Sequence, residues 1–124
     1  MRTIRIALFS ALALSAFVLG SPAAGAVNVA DCQAAIAQLQ ADTNAGQFTN
    51  SKDQTMLAGK AQAAADKLDV NKPNDALRKL EDYSAKLDAL AAATKPKVSA
   101  ESYATLHNDV TAAMSCVEAL LAAT

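Results

Sequence analysis

Residues 74–91, NDALRKLEDYSAKLDALA, decide the fold. Ala76, Leu77, Leu80, Tyr83, Leu87, Leu90 and Ala91 recur at steps of three and four, the period of one helix face. Asp75 stands four residues before Lys79 and Asp82 four before Lys86, a spacing at which opposite charges support a helix. Asn74 is the expected N-cap. Pro96 disfavours helical geometry in the residue before it, so the helix is expected to end near Thr94.

Similar signals lie on both sides. Ser99 opens a following helix, with Val98 just outside and Tyr103 at its fourth position, the spacing of a hydrophobic staple. Tyr103, Leu106, Val110, Ala113, Met114, Val117 and Leu121 then share one direction. Towards the N-terminus, Ser51 and Gln54 have capping-box spacing and open a helix with Leu57, Ala61, Ala64 and Leu68 on one face. Pro73 closes the gap after it. Val29, Cys32, Ile36 and Leu39 mark a first helix from Val29 to about Ala45, stopped by Asn44 and Gly46. Connections of about four to six residues favour antiparallel neighbours, so the pattern predicts an all-α, up-down-up-down four-helix bundle over residues 27–124, as one domain.

The composition agrees with that reading. The chain has 124 residues, 52% hydrophobic, 19% charged and 4% aromatic, with a formal net charge of -1. Alanine, the strongest helix former, accounts for 31 of them. The length suits one small domain and excludes a multidomain enzyme or a long repeat array.

Residues 1–26 carry the pattern of a secretory signal peptide. Arg2 and Arg5 give a positive start, Ile6 to Gly20 an apolar run, and Ala24-Gly25-Ala26 a small-x-small cleavage site. The apolar run falls short of the roughly 20 residues that span a bilayer, so removal after Ala26 and export are expected, with no membrane attachment afterwards. Asp31 directly before Cys32 argues against a lipid-modified cysteine. The remaining residues carry nine basic against twelve acidic side chains, a net charge near -3. That balance disfavours nucleic acid and anionic membrane surfaces as partners.

The two cysteines test the topology. In an up-down-up-down bundle the start of the first helix and the end of the fourth lie at one pole, where Cys32 and Cys116 fall. In an exported chain they are expected to form a disulfide.

Few residues are suited to catalysis. His107 is the one histidine, and there is no Gly-rich phosphate loop and no CxxC motif. His107 alone cannot assemble a zinc site. Asp66 with Asp69, and Asp82 with Asp88, lack the alternating spacing of a calcium loop. The reading is therefore non-enzymatic, with no catalytic residues, no metal site and no cofactor. One constellation points elsewhere: Tyr103 and His107, four apart on one helix face, offer a phenol and an imidazole that could ligate a haem iron or contact another small apolar ligand.

The stretch 36–106 resembles the FIMAH domain, a small all-helical module of secreted bacterial proteins. The resemblance rests on Ile36 and Leu39, then Gly46-Gln47-Phe48-Thr49-Asn50, then Leu57, Lys60-Ala61 and Leu68. It continues through Asn71-Lys72-Pro73-Asn74-Asp75-Ala76, Leu80 and Tyr83 to Lys97-Val98-Ser99 and Leu106. Gly46 would give a left-handed exit from the first helix, and Phe48 would dip into the core. The Cys32 and Cys116 pair departs from the family pattern. The resemblance brings no catalytic residues and implies an accessory role acting between chains. The expected function is thus a secreted helical module that is structural or binds another secreted or cell-envelope protein, with Phe48 and Tyr83 as aromatic contact candidates; the alternative is the carrier built on Tyr103 and His107.

Overall fold

The computed structural model describes residues 27–123, and the signal segment expected over residues 1–26 lies outside them. Four helices follow one another: α1 (Val29–Ala45), α2 (Ser51–Asp69), α3 (Pro73–Ala92) and α4 (Ala100–Ala122). Successive helices pack on each other and α4 closes back onto α1. Side-chain pairs fix their directions. Gln33 near the start of α1 reaches Asp69 at the end of α2, and Gln40 donates to Gln62 at 2.7 Å. The arrangement is the all-α up-down-up-down bundle.

The core follows the stripes. Cys32, Ile36, Leu39, Leu57, Leu80, Tyr83, Leu87, Leu106, Val110 and Val117 are wholly buried, each large side chain contributing on the order of 1.5–3 kcal/mol. Ala61, Ala64, Ala76 and Ala113 are equally buried, and their small side chains let backbones approach closely. Thr43 continues the α1 stripe as its buried polar member. Its hydroxyl donates to the Leu39 carbonyl at 2.7 Å and lies 2.6 Å from the Tyr83 hydroxyl. One Thr43 proton cannot serve both, so Tyr83 donates to Thr43.

The helix ends correct several expectations. Asn28 caps α1 in a reciprocal box with Asp31. Asn50, not Ser51, caps α2: its side chain accepts from the Lys52 amide, and Ser51 is the first helical residue. Gln54 faces the preceding helix, donating to the carbonyls of Thr43, Asn44 and Gly46 at 2.8, 3.1 and 3.2 Å. It therefore satisfies the orphan C-terminal carbonyls of α1 instead of boxing its own helix. α3 begins at Pro73 with Lys72 as cap, so Asn74 lies inside it. Proline's fixed φ and missing N–H suit that first position. α3 ends at Ala92 and is followed by extended Ala93. Ser99 caps α4 as expected, accepting from the Ser102 amide at 3.1 Å.

The left-handed residue is Asn71, at φ 59°, while Gly46 leaves α1 in an extended conformation, φ -70° and ψ 159°. Around Asn71 the Lys72 amide donates to the Lys67 carbonyl at 2.8 Å and the Asn71 amide to that of Leu68 at 3.0 Å. That is a Schellman closure, and asparagine tolerates its left-handed position. What glycine gives at 46 is room: a Cβ there would lie 2.8 Å from Phe48 Cε1, and the ring would have to move.

Cys32 and Cys116 are joined by a disulfide, with Cα atoms 5.5 Å apart. Cys32 is buried and Cys116 partly so.

Candidate functional site

Two loops meet at the pole opposite the disulfide. Residues 46–50 and 93–99 connect α1 to α2 and α3 to α4, and the chain pairs across them once, Phe48 opposite Val98 in antiparallel fashion. The Thr49 amide donates to the Lys97 carbonyl and the Ser99 amide to that of Gln47, both at 3.0 Å. Lys97 N–H in turn reaches the Leu90 carbonyl at 3.0 Å, and the Gln47 amide reaches Ser102 Oγ at 2.9 Å. With Gln54 holding the end of α1, both loops are pinned to the bundle. Val98 is buried beneath them and Phe48 is half-buried. A shallow depression of about 300 Å³ lies here, lined by Gln47, Phe48, Thr49, Pro96, Val98 and Ser99.

Charge is uneven around this pole. Lys52, Lys95 and Lys97 are exposed there, and residues 44–52 and 93–100 include no acidic side chain. The two loops are thus basic, while Asp53 and Glu101 stand in the first turns of the helices they lead into. Lys86, expected beside Asp82, pairs instead with Asp53 on α2 at 3.4 Å. Tyr83, offered by sequence as a contact residue, is internal, which leaves Phe48 as the accessible aromatic of the two.

Tyr103 and His107 do come together. Their rings stack with centroids 5.5 Å apart and planes 23° from parallel. The Tyr103 hydroxyl donates to Asp88 Oδ1 on α3 at 2.8 Å, and this bond pushes the phenol above its ordinary range. A phenolate ligand to iron would have to give that bond up. His107 is exposed. Neither residue lines the loop depression, the charged one of about 420 Å³ over α2 and α3, or the one of about 260 Å³ beside Gly46. Among the described residues, no group of three or more His, Cys, Asp or Glu side chains is placed to hold a metal ion.

A cluster that the sequence reading missed lies in the α1–α4 seam. Asp109 faces Asp42, and Asp109 Oδ2 is buried without a hydrogen-bond donor. Burial, with the Asp42 hydrogen bond and charge adding to it, pushes the Asp109 carboxyl up to about 8. Gln38 donates to Asp42 Oδ2 at 3.0 Å. The available signal was position: Asp42 and Asp109 each precede a core residue, Thr43 and Val110.

No protein family, characterised protein or solved structure matches this chain. The function must therefore be argued from its own surfaces.

Proposed function

We propose that the protein is an exported, non-enzymatic binding module whose recognition face is the pair of basic loops at the pole opposite the disulfide. The observation that carries this reading is the mutual pinning of residues 46–50 and 93–99, which orders the backbone that bears Phe48, Lys95 and Lys97 before any partner arrives. A preordered surface loses little conformational entropy on binding. Lysines around a half-buried aromatic suit an acidic segment of another secreted or cell-envelope protein. Export rests on the signal pattern of residues 1–26, and the Cys32–Cys116 bridge is the kind of link that persists in an oxidising compartment. The resemblance to FIMAH modules of secreted bacterial proteins points the same way.

The test places a photo-crosslinking residue at Thr49 and, separately, at Glu81 on the distant face of α3, and presents each protein to the host's envelope and medium proteins. A defined product is expected from position 49 alone, lost in Lys95→Glu/Lys97→Glu. Equal yields from both positions, or indifference to the charge reversal, would refute it.

The stacked pair supports a second reading, a carrier of haem or another small apolar ligand. Tyr103 and His107 put a phenol and an imidazole side by side on one face of α4. Titrating haem into the protein should then shift its Soret band, and Tyr103→Phe/His107→Ala should abolish the shift. An unshifted band disposes of this reading and leaves the first untouched.

A further inference from the structure

We propose that Asp42 and Asp109 form a proton-operated latch across the α1–α4 seam, closed by one shared proton and opened by its loss. Asp109 Oδ2 is buried and receives no donor. Two bare carboxylates offer each other only acceptors and repel. A proton on Asp109 turns the same contact into a short charge-assisted hydrogen bond to Asp42, joining the two helices.

The neighbours leave the proton no substitute. The titratable groups facing the pair are each other, from α1 and α4, Tyr83 from α3, and Glu101 of α4, which lines the depression beside Gly46 together with Asp42. Tyr83 donates its hydroxyl to Thr43, whose own proton is taken by the Leu39 carbonyl. Gln38 donates to Asp42 Oδ2 and not to Asp109. Among the described residues, neither carboxylate takes part in an ion pair. Asp42 is thus supplied with an amide donor, and Asp109 is the carboxyl that must keep its proton.

The sign follows from linkage. Asp109 is raised to about 8 in the folded chain, so the folded state binds more protons than the unfolded one from the ordinary carboxyl range up to that value. The stabilisation is complete in acid below that range and is lost as the pH climbs to about 8.

Carbon-detected NMR of the intact, disulfide-bonded protein from about pH 3 to about pH 10 should show the Asp109 carboxyl inflecting well above the ordinary range. Urea midpoints should fall from about pH 4 to about pH 8 in the wild type and level off above that. Asp109→Asn, whose amide donates to Asp42 at every pH, should be flat across that window. Asp42→Asn should lower the Asp109 inflection. An Asp109 inflection in the ordinary carboxylate range overturns the proposal by itself, whether or not either variant folds. So does an equal loss over the same pH window in Asp109→Asn.

Discussion

The Tyr83 hydroxyl lies 2.6 Å from Thr43 Oγ, tying the middle of α3 to the last turn of α1 inside the core. Removing the donor leaves Thr43 still bonded to Leu39, so Tyr83→Phe should cost about 1 kcal/mol. Thr43→Val strands a buried phenol and should cost about 1–3 kcal/mol. The double variant should lose less than the two costs added, because both ends of the bond go together. Urea denaturation of the four proteins reads the coupling, and strict additivity would show that the bond contributes nothing.

A buried phenol also titrates late. Desolvation pushes Tyr83 up to about 12, Asp109 and Asp42 adding to the rise and Thr43 opposing it by turning its hydroxyl proton from Leu39 to the phenolate. Tyr103 is raised as well, first by its bond to Asp88. The native protein should therefore show less tyrosinate absorbance at about pH 10 than the denatured chain, which is half ionised there. The sign is again destabilising in alkali: the Tyr83 contribution is intact below about pH 10 and disappears towards about 12. Coincident native and denatured titration curves would contradict this.

Gln54 has one amide group and three carbonyls before it, those of Thr43, Asn44 and Gly46. Gln54→Ala should cost about 1–2 kcal/mol and speed amide exchange through the last turn of α1. Gln54→Glu should be worse at neutral pH, since a carboxylate would face carbonyl oxygens. Chemical denaturation of both variants orders them, and the reverse order would mean that Gln54 acts through packing alone.

Gly46 adopts a backbone conformation open to any residue, so its substitution is a question of space. Gly46→Ala brings a Cβ to 2.8 Å from Phe48 Cε1 and to 3.3 Å from the carbonyls of Asp42 and Thr43. Displacing Phe48 should cost about 1–3 kcal/mol, the usual range for overpacking. Phe48→Leu in the same chain should recover part of that loss. Thermal melts decide it, and a Gly46→Ala protein as stable as the wild type would show that the ring yields freely.

Cys32 and Cys116 are separated by 84 residues. Chain entropy over such a loop assigns the bond about 4–5 kcal/mol, a large share of the stability of a small domain. Cys32→Ala/Cys116→Ala should therefore drop the melting temperature by tens of degrees, on the order of 4–8 °C per kcal/mol. Circular dichroism melts suffice to check it, and a fall of only a few degrees would place the stability in the helix contacts alone.

The helix faces were legible because a 3.6-residue period is written directly in the spacing of Leu80, Tyr83 and Leu87, or of Leu106, Val110 and Ala113. The disulfide followed from the same topology. The turns were less so, because several residues there compete for each role. Asn50 and Ser51 are both good caps, and one residue of frame decides between them. Gly46 and Asn71 both permit a left-handed residue, and only Asn71 closes its helix in the Schellman manner. The Asp42 and Asp109 pair was illegible for a different reason. It depends on how α1 and α4 rotate against each other, which no local pattern records. Tyr103 and His107 were read as neighbours from spacing alone, while the Asp88 partner that occupies the phenol belongs to another helix.

The position of the disulfide has one more consequence, for survival among proteases. Every turn between helices lies between Cys32 and Cys116 in the sequence. A single cut at residues 46–50, at 70–72 or at 93–99 therefore opens the covalent ring without releasing a fragment. The nicked chain stays one molecule, its two pieces keep a high effective concentration for each other, and reclosure of the bundle stays unimolecular. Loss of a helix to the surroundings requires a second cut or a reductant.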